Sequence, residues 1–255
     1  MLSLPRKLIF KVNNSKLSWL TKHFFASSGY KLATYDSIID DHLTDNSWNR
    51  AASSRQLRIW RRIIRNKSKR ADLNALINAL KLTKPKGSLL CEVGCGSAYL
   101  SDFIRNNNFK YLKYIGVDSS ITALSLAKTR HNLIQASSNR LPFVNNFFDI
   151  VLDGAALIHI INWQESLREY ARVTSKYIIL HSISISNKSE NLYISKFAYS
   201  QKVSETIYSR RSLLEACNKL NLQLVERFKG ENYTAGNLLD FPVYSETWLL
   251  MRSYE

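Results

Sequence analysis

The segment that most restricts how this chain can fold is Glu92-Val93-Gly94-Cys95-Gly96-Ser97. It follows Ser88-Leu89-Leu90-Cys91, an apolar run of strand length, and precedes residues 97–106, where Leu100, Phe103 and Ile104 recur at helical spacing. Glycines at 94 and 96 remove the Cβ where a strand must turn sharply into a helix. The same alternation continues. Tyr114-Ile115-Gly116-Val117 stops at Asp118, and Ser119-Ser120 caps a helix through Ala127. A short strand near Leu133-Ile134, a turn at Leu141-Pro142-Phe143, a strand at Phe148–Leu152, helix 164–172 and strand Tyr177–Ile183 follow. Helix 210–220, strand Leu222–Phe228 and a last, antiparallel strand at Thr247–Met251 close the pattern. Strands alternating with helices predict an α/β fold, a doubly wound and mostly parallel sheet covered on both faces.

Charge separates the chain into two zones. Residues 1–70 hold 15 Lys and Arg against 4 Asp and Glu, and the other residues hold 21 against 16. The first zone shows no strand signal, and Gln56–Arg65 reads as an amphipathic helix with Leu57, Trp60 and Ile64 opposite Arg58, Arg61, Arg62 and Arg65. Trp19, Phe24 and Phe25 suggest further packing before residue 47. The expected organisation is a basic, mainly helical extension over 1–70 and an α/β domain over 71–255 whose period turns irregular over 184–209. A field this positive attracts polyanions or an anionic membrane surface. No run approaches the roughly 20 apolar residues that span a bilayer. Three cysteines, none in a CxxC pair, suit neither a disulfide framework nor a metal site, so a reduced, cytoplasmic protein without metal is expected.

The strand ends carry the chemistry. In a doubly wound sheet, ligands bind at the carboxyl ends of strands, and the glycine turn is the first such end. Asp118 closes the second strand 24 residues past Gly94, where a carboxylate accepts two hydrogen bonds from a ribose diol. The pattern departs from a dinucleotide fingerprint, because Tyr99 stands where a third glycine would be needed. Glu92 would also repel a pyrophosphate, yet it suits a cationic amino-acid tail. A ribose, a positive charge and no phosphate together describe S-adenosylmethionine.

Residues 87–185 resemble a class I S-adenosylmethionine-dependent methyltransferase of the broad small-molecule type. The resemblance rests on Glu92 to Ser97, Gly116-Val117-Asp118-Ser119-Ser120, Leu141-Pro142-Phe143, Phe148-Asp149-Ile150-Val151 and Arg172-Val173. It implies a seven-stranded Rossmann-like sheet in a methyltransferase domain over 71–255, with an acceptor-lid insertion near 184–209. It also implies cofactor contacts from Glu92, Gly94, Cys95, Gly96, Asp118 and Ser119, while Asp149 is structural. The family's third glycine falls at Ala98. Its adenine-contacting acid falls at Ser137, beside Ser138, which leaves a neutral or backbone contact there.

Four further residues stand at strand ends or in the insertion. His159 and Asp153, after and at the end of one strand, are candidate catalytic groups. His181, ending the next strand, and Tyr199, within Lys196–Glu205, are candidate substrate contacts, and Trp48 with Arg55-Gln56 is a candidate cover. His23, His42 and His131 have no constellation around them. Asp153-Gly154-Ala155-Ala156 lacks the Asn/Asp-Pro-Pro-aromatic motif of nucleobase amine methylation. The expected activity is methyl transfer to an oxygen or nitrogen of a small molecule such as a sugar, lipid precursor or natural-product intermediate. The alternatives are an RNA-directed methyltransferase or an RNA-binding protein using the basic arm, and a nicotinamide-dependent oxidoreductase.

Overall fold

A computed structural model describes residues 30–33, 48–65, 70–127, 132–199, 201–233, 239 and 241–253. Trp19, Phe24, Phe25, His23, His42 and His131 lie outside them. The central sheet has the order β4-β3-β2-β5-β6-β10-β9. Its strands are β2 (Leu89–Val93), β3 (Lys113–Asp118), β4 (Asn132–Gln135), β5 (Phe148–Asp153), β6 (Thr174–Ser186), β9 (Leu222–Tyr233) and β10 (Val243–Arg252). The β2–β3, β2–β5, β3–β4 and β5–β6 pairs are parallel, and β10 runs antiparallel to both β6 and β9.

Burial on both faces explains the apolar strands. Cys91, Val93, Val151, Ile178 and Leu180 face one layer, made by α5 (Trp163–Val173) and α6 (Arg210–Asn218). Leu90, Ile150, Leu152, Ile179 and Leu249 face the other, made by α1 (Arg50–Arg65), α2 (Ala71–Leu82) and α3 (Tyr99–Asn106). In α5 the buried Trp163, Ser166, Leu167, Tyr170 and Ala171 follow the three-and-four spacing of one helix face. The short α4 (Ile121–Leu124) starts where Ser120 Oγ accepts from Ala123 N at 3.2 Å.

Two motif blocks act as fasteners. Asp149 Oδ2 accepts from Leu89 N at 2.8 Å, which fixes the start of β5 beside β2. Arg172 binds Glu169 and donates to the carbonyls of Leu141 and Phe143, which clamps the Leu141-Pro142-Phe143 turn onto α5.

The basic helix packs through the side expected. Leu57 is buried, Trp60 and Ile64 are half-buried, and Arg58, Arg61, Arg62 and Arg65 are exposed. Trp60 stacks on Tyr99 with ring centroids 5.0 Å apart, and the Arg70 guanidinium lies 5.3 Å over the Trp60 ring.

Two expectations fail here. Residues 1–70 do contain a strand, β1 (Tyr30–Ala33), because an antiparallel partner is supplied by β7 (Leu192–Ala198). Residues 184–209 are not irregular either. The end of β6 runs on to Ser186, and β7 and β8 (Gln201–Ser209) form a hairpin. Buried Ser195, Glu205 and Thr206 break the polar–apolar alternation that would have shown it. The helix after Asp118 also ends at Leu124, three residues earlier than its sequence suggests.

Candidate cofactor and acceptor site

The glycine turn is built by contacts that exclude other residues. Gly94 has φ +70°, and a Cβ there would stand 2.1 Å from the Ala156 Cβ. Gly96 has φ +52°, with Gln56 of α1 reaching over it. Ala98 takes the same left-handed conformation at φ 56°, which an alanine adopts at some cost. Cys95 N donates to Val117 O at 3.0 Å and Gly154 N to Val93 O at 3.2 Å, so the ends of β2, β3 and β5 are tied together.

Asp118 is the fastening of this turn. Its Oδ2 accepts from Gly96 N and its Oδ1 from Ser120 N, both at 2.8 Å. Burial raises its pKa, and these two N–H groups oppose the rise. Each carboxylate oxygen keeps lone-pair capacity for a diol. Ser97, buried inside the same turn, has a hydroxyl without a hydrogen-bond partner. An orphaned buried hydroxyl beside a carboxylate and two glycines fits a ribose and amino-acid tail. S-adenosylmethionine would be held there by the turn backbone, Ser97 and Asp118.

Glu92 lies deeper than a residue lining an open pocket. It is 1% exposed, and its Oε2 accepts from Tyr114 OH at 2.7 Å. Burial lifts its carboxyl from 4.5 to about 8, against the pull of the Tyr114 hydroxyl and with help from Asp118 and Asp153. The folded chain therefore holds a proton at Glu92 that the unfolded chain releases above pH 4.5. Stability should fall as pH rises toward 8. Burial lowers His181 to about 4, so that residue acts in the opposite direction only below pH 6.5. Between pH 6.5 and 8, urea unfolding should show a loss of about 1–2 kcal/mol in the native protein. Glu92→Gln should be flat over that window; an equal slope in both proteins would refute the assignment.

The remaining sequence candidates divide. Cys95 is 1% exposed, so its backbone alone can reach a ligand. Ser119 is exposed, and its carbonyl accepts from Gln135 Nε2. The Ser137 hydroxyl donates to Asn139 Oδ1 and Ser138 pairs with Ser166, which leaves the backbone of that segment for an adenine. Asp153 is fully buried, and its carboxylate accepts from the N–H groups of Ala156 and Leu157 and from Tyr170 OH. It anchors the 3-10 turn Leu157–His159, in contrast to the contact with reacting groups expected of it. His181 does not end its strand. It lies within β6, 2% exposed, with Nδ1 3.0 Å from Thr247 Oγ1.

His159, Tyr199 and Trp48 do come together. Trp48 has its ring centroid 5.9 Å from His159 and 5.8 Å from Tyr199. Its carbonyl accepts from Ser120 Oγ at 3.0 Å, which binds this cover to the residue beside Asp118. The His159 ring nitrogen Nδ1 lies 2.7 Å from Ser204 O. A carbonyl only accepts, so Nδ1 carries the hydrogen and Nε2 the basic lone pair. Sequence reasoning missed Ser97, Tyr114 and Ala156. Each stood in a segment already singled out, Ser97 at the end of the glycine turn and Tyr114 two residues before Gly116 on its face of β3, but no role followed from that.

Among the described residues, no helix is long and apolar enough to cross a membrane, and no group of three or more potential metal-binding side chains occurs. A family model described as a methyltransferase domain matches residues 91–178. No curated protein matches the chain. A SAM-dependent methyltransferase from Methanosarcina mazei superposes with a TM-score of 0.56 at 13% identity, over 69% of this chain and 97% of that one. One from Clostridium acetobutylicum gives 0.54 at 13%, over 79% and 99%. The Burkholderia thailandensis 1,6-didemethyltoxoflavin-N1-methyltransferase, with its substrate and S-adenosylhomocysteine bound, gives 0.53 at 11%, over 80% and 88%. Residues 91–178 thus match a methyltransferase domain, and the chain shares the fold of solved S-adenosylmethionine-dependent methyltransferases.

Proposed function

We propose that the enzyme methylates an oxygen or nitrogen of a small-molecule acceptor held against Trp48, His159 and Tyr199. The observation that carries this reading is the 2.7 Å contact from His159 Nδ1 to the Ser204 carbonyl. It fixes the tautomer that leaves Nε2 able to take a proton from the acceptor. The cofactor supplies an already electrophilic methyl, so alignment is the main task of the protein, and alignment contributes roughly 7–11 kcal/mol in well-oriented reactions. Asp118 and the glycine turn hold the donor side, Asp153 sets the turn that carries His159, and the three rings exclude water from the acceptor side. The Burkholderia neighbour, which binds a small heterocycle with its cofactor product, is in line with such an acceptor.

Labelled S-adenosylmethionine incubated with separated metabolite, RNA and protein fractions should transfer its label to metabolites. With that acceptor, His159→Ala should lower kcat by about 10²–10⁴-fold and leave S-adenosylhomocysteine affinity unchanged. Label in the RNA fraction would refute the acceptor class, and an unchanged kcat would refute the role of His159.

The cationic helix bears on partners as well. In α1 every charged residue is arginine, and its apolar side is packed against the body. That side cannot enter a bilayer. An anionic membrane or nucleic acid would meet mainly guanidinium groups, with Ile59 exposed among them, in a contact weakened by salt.

A further inference from the structure

The amino-acid tail of S-adenosylmethionine needs a side-chain partner other than the one its motif suggests. Glu92 is 1% exposed and already bonded to Tyr114, and Cys95 is equally buried. A tail that carries an ammonium and a carboxylate gives up water on binding and must find polar groups in exchange. The two glycines of the turn show where there is room for it. A Cβ on Gly94 would collide with Ala156, so that glycine serves the packing of the protein itself. A Cβ on Gly96 would meet, among the described residues, only the Gln56 side-chain oxygen, at 3.6 Å. Space therefore lies over Gly96, and the amide of Gln56 borders it.

The helix that carries Gln56 is fastened on both sides of this space. Just before α1, the Trp48 carbonyl accepts from Ser53 Oγ at 3.2 Å and from Ser120 Oγ at 3.0 Å. Four residues past Gln56, Trp60 stacks on Tyr99. Tyr99 begins α3, directly after the glycine turn, and Ser120 caps α4, directly after Asp118. Gln56 falls between these two fasteners. Ser53, Gln56, Leu57 and Trp60 share one face of α1, the face packed on the body. On that face Leu57, Trp60 and Ile64 are apolar, and only packing is needed of them. Gln56 differs. It is half-buried, and its amide makes no hydrogen bond to a described residue. An amide held in such a place without a partner costs stability unless a ligand satisfies it.

We propose that Gln56 binds the amino-acid tail of the cofactor, which makes the basic helix a wall of the donor pocket. This rests on the methyl-transfer reading above and adds a residue to it. An amide offers both a donor and an acceptor, and so matches a tail that carries a carboxylate and an ammonium. A charged side chain in its place would attract one end of the tail and repel the other. Asp118 remains with the ribose, at the opposite side of Gly96, whose N–H it accepts. Arg58, Arg61, Arg62 and Arg65 stay exposed on the other side of α1, so cofactor contact and the charge of the helix are carried on different faces.

Calorimetry with two ligands tests this. S-adenosylhomocysteine has the tail, and 5′-methylthioadenosine has the same nucleoside and sulfur but ends at a methyl. Gln56→Met keeps the length of the side chain and removes the amide. It should weaken S-adenosylhomocysteine about tenfold, as expected for one lost hydrogen bond to a charged group, and leave methylthioadenosine within about twofold of native. Gln56→Ala should repeat the pattern, and melting curves of both variants should show them folded. Equal weakening of the two ligands would make Gln56 a packing residue and overturn the proposal, as would unchanged affinity for S-adenosylhomocysteine. Failure of both ligands to bind the native protein would instead overturn the cofactor reading beneath it.

Discussion

Gly94→Val should remove S-adenosylhomocysteine binding and also destabilise the fold, by about 3–5 kcal/mol when backbone strain and overpacking are combined. The sequence alone suggests a side chain projecting into ligand space in an otherwise intact protein. The structure shows the obstruction to be Ala156, whose Cβ lies 2.1 Å from where a Gly94 Cβ would stand. Because the turn at Ala156 also leads to His159, the damage spreads to both halves of the site. The two contributions can be separated. Gly94→Ala combined with Ala156→Gly relieves the collision and leaves about 1–2 kcal/mol of left-handed backbone strain. Urea denaturation should show the double variant more stable than Gly94→Ala alone. Equal stability of the two would mean that the Ala156 contact is not what demands glycine.

Asp118→Ala should weaken S-adenosylhomocysteine by at least about 100-fold, since charge-assisted hydrogen bonds contribute roughly 1.5–3 kcal/mol each. Ribose contacts are only part of the loss. Gly96 N and Ser120 N would both lose their acceptor, so the turn would be released along with the ligand. Asp118→Asn keeps one acceptor oxygen and should fall between. Calorimetry finding less than a threefold change for Asp118→Ala would remove this residue from the site.

The parallel core was legible because its strands are buried on both faces and its turns are punctuated by Gly94, Gly96 and Ser120. Local chemistry specifies those elements. The hairpin of β7 and β8 was not, since its buried positions include Ser195, Glu205 and Thr206, which read as loop. β1 was missed for a different reason: it pairs with a strand more than 150 residues away, and no pattern within four residues reveals that. In the site, the hydrogen-bonded turn of the proposed donor side was foreshadowed by Asp118 and the glycines. Asp153 misled because a carboxylate at a strand end looks the same in sequence whether it faces a ligand or three protein donors. Tertiary contacts alone decide between those outcomes.

The attachment of the β7–β8 hairpin decides how a change there spreads. β8 pairs with β6 through two residue pairs, Ile185 with Tyr208 and Ser186 with Ser209. Its side chains are tied in further: Tyr208 packs on Trp163 and donates to Leu157 O, and Glu205 accepts from Ser184 Oγ. A substitution in β8 is therefore transmitted sideways to the Leu157–His159 turn, while β2, β3 and β5 keep their register with one another.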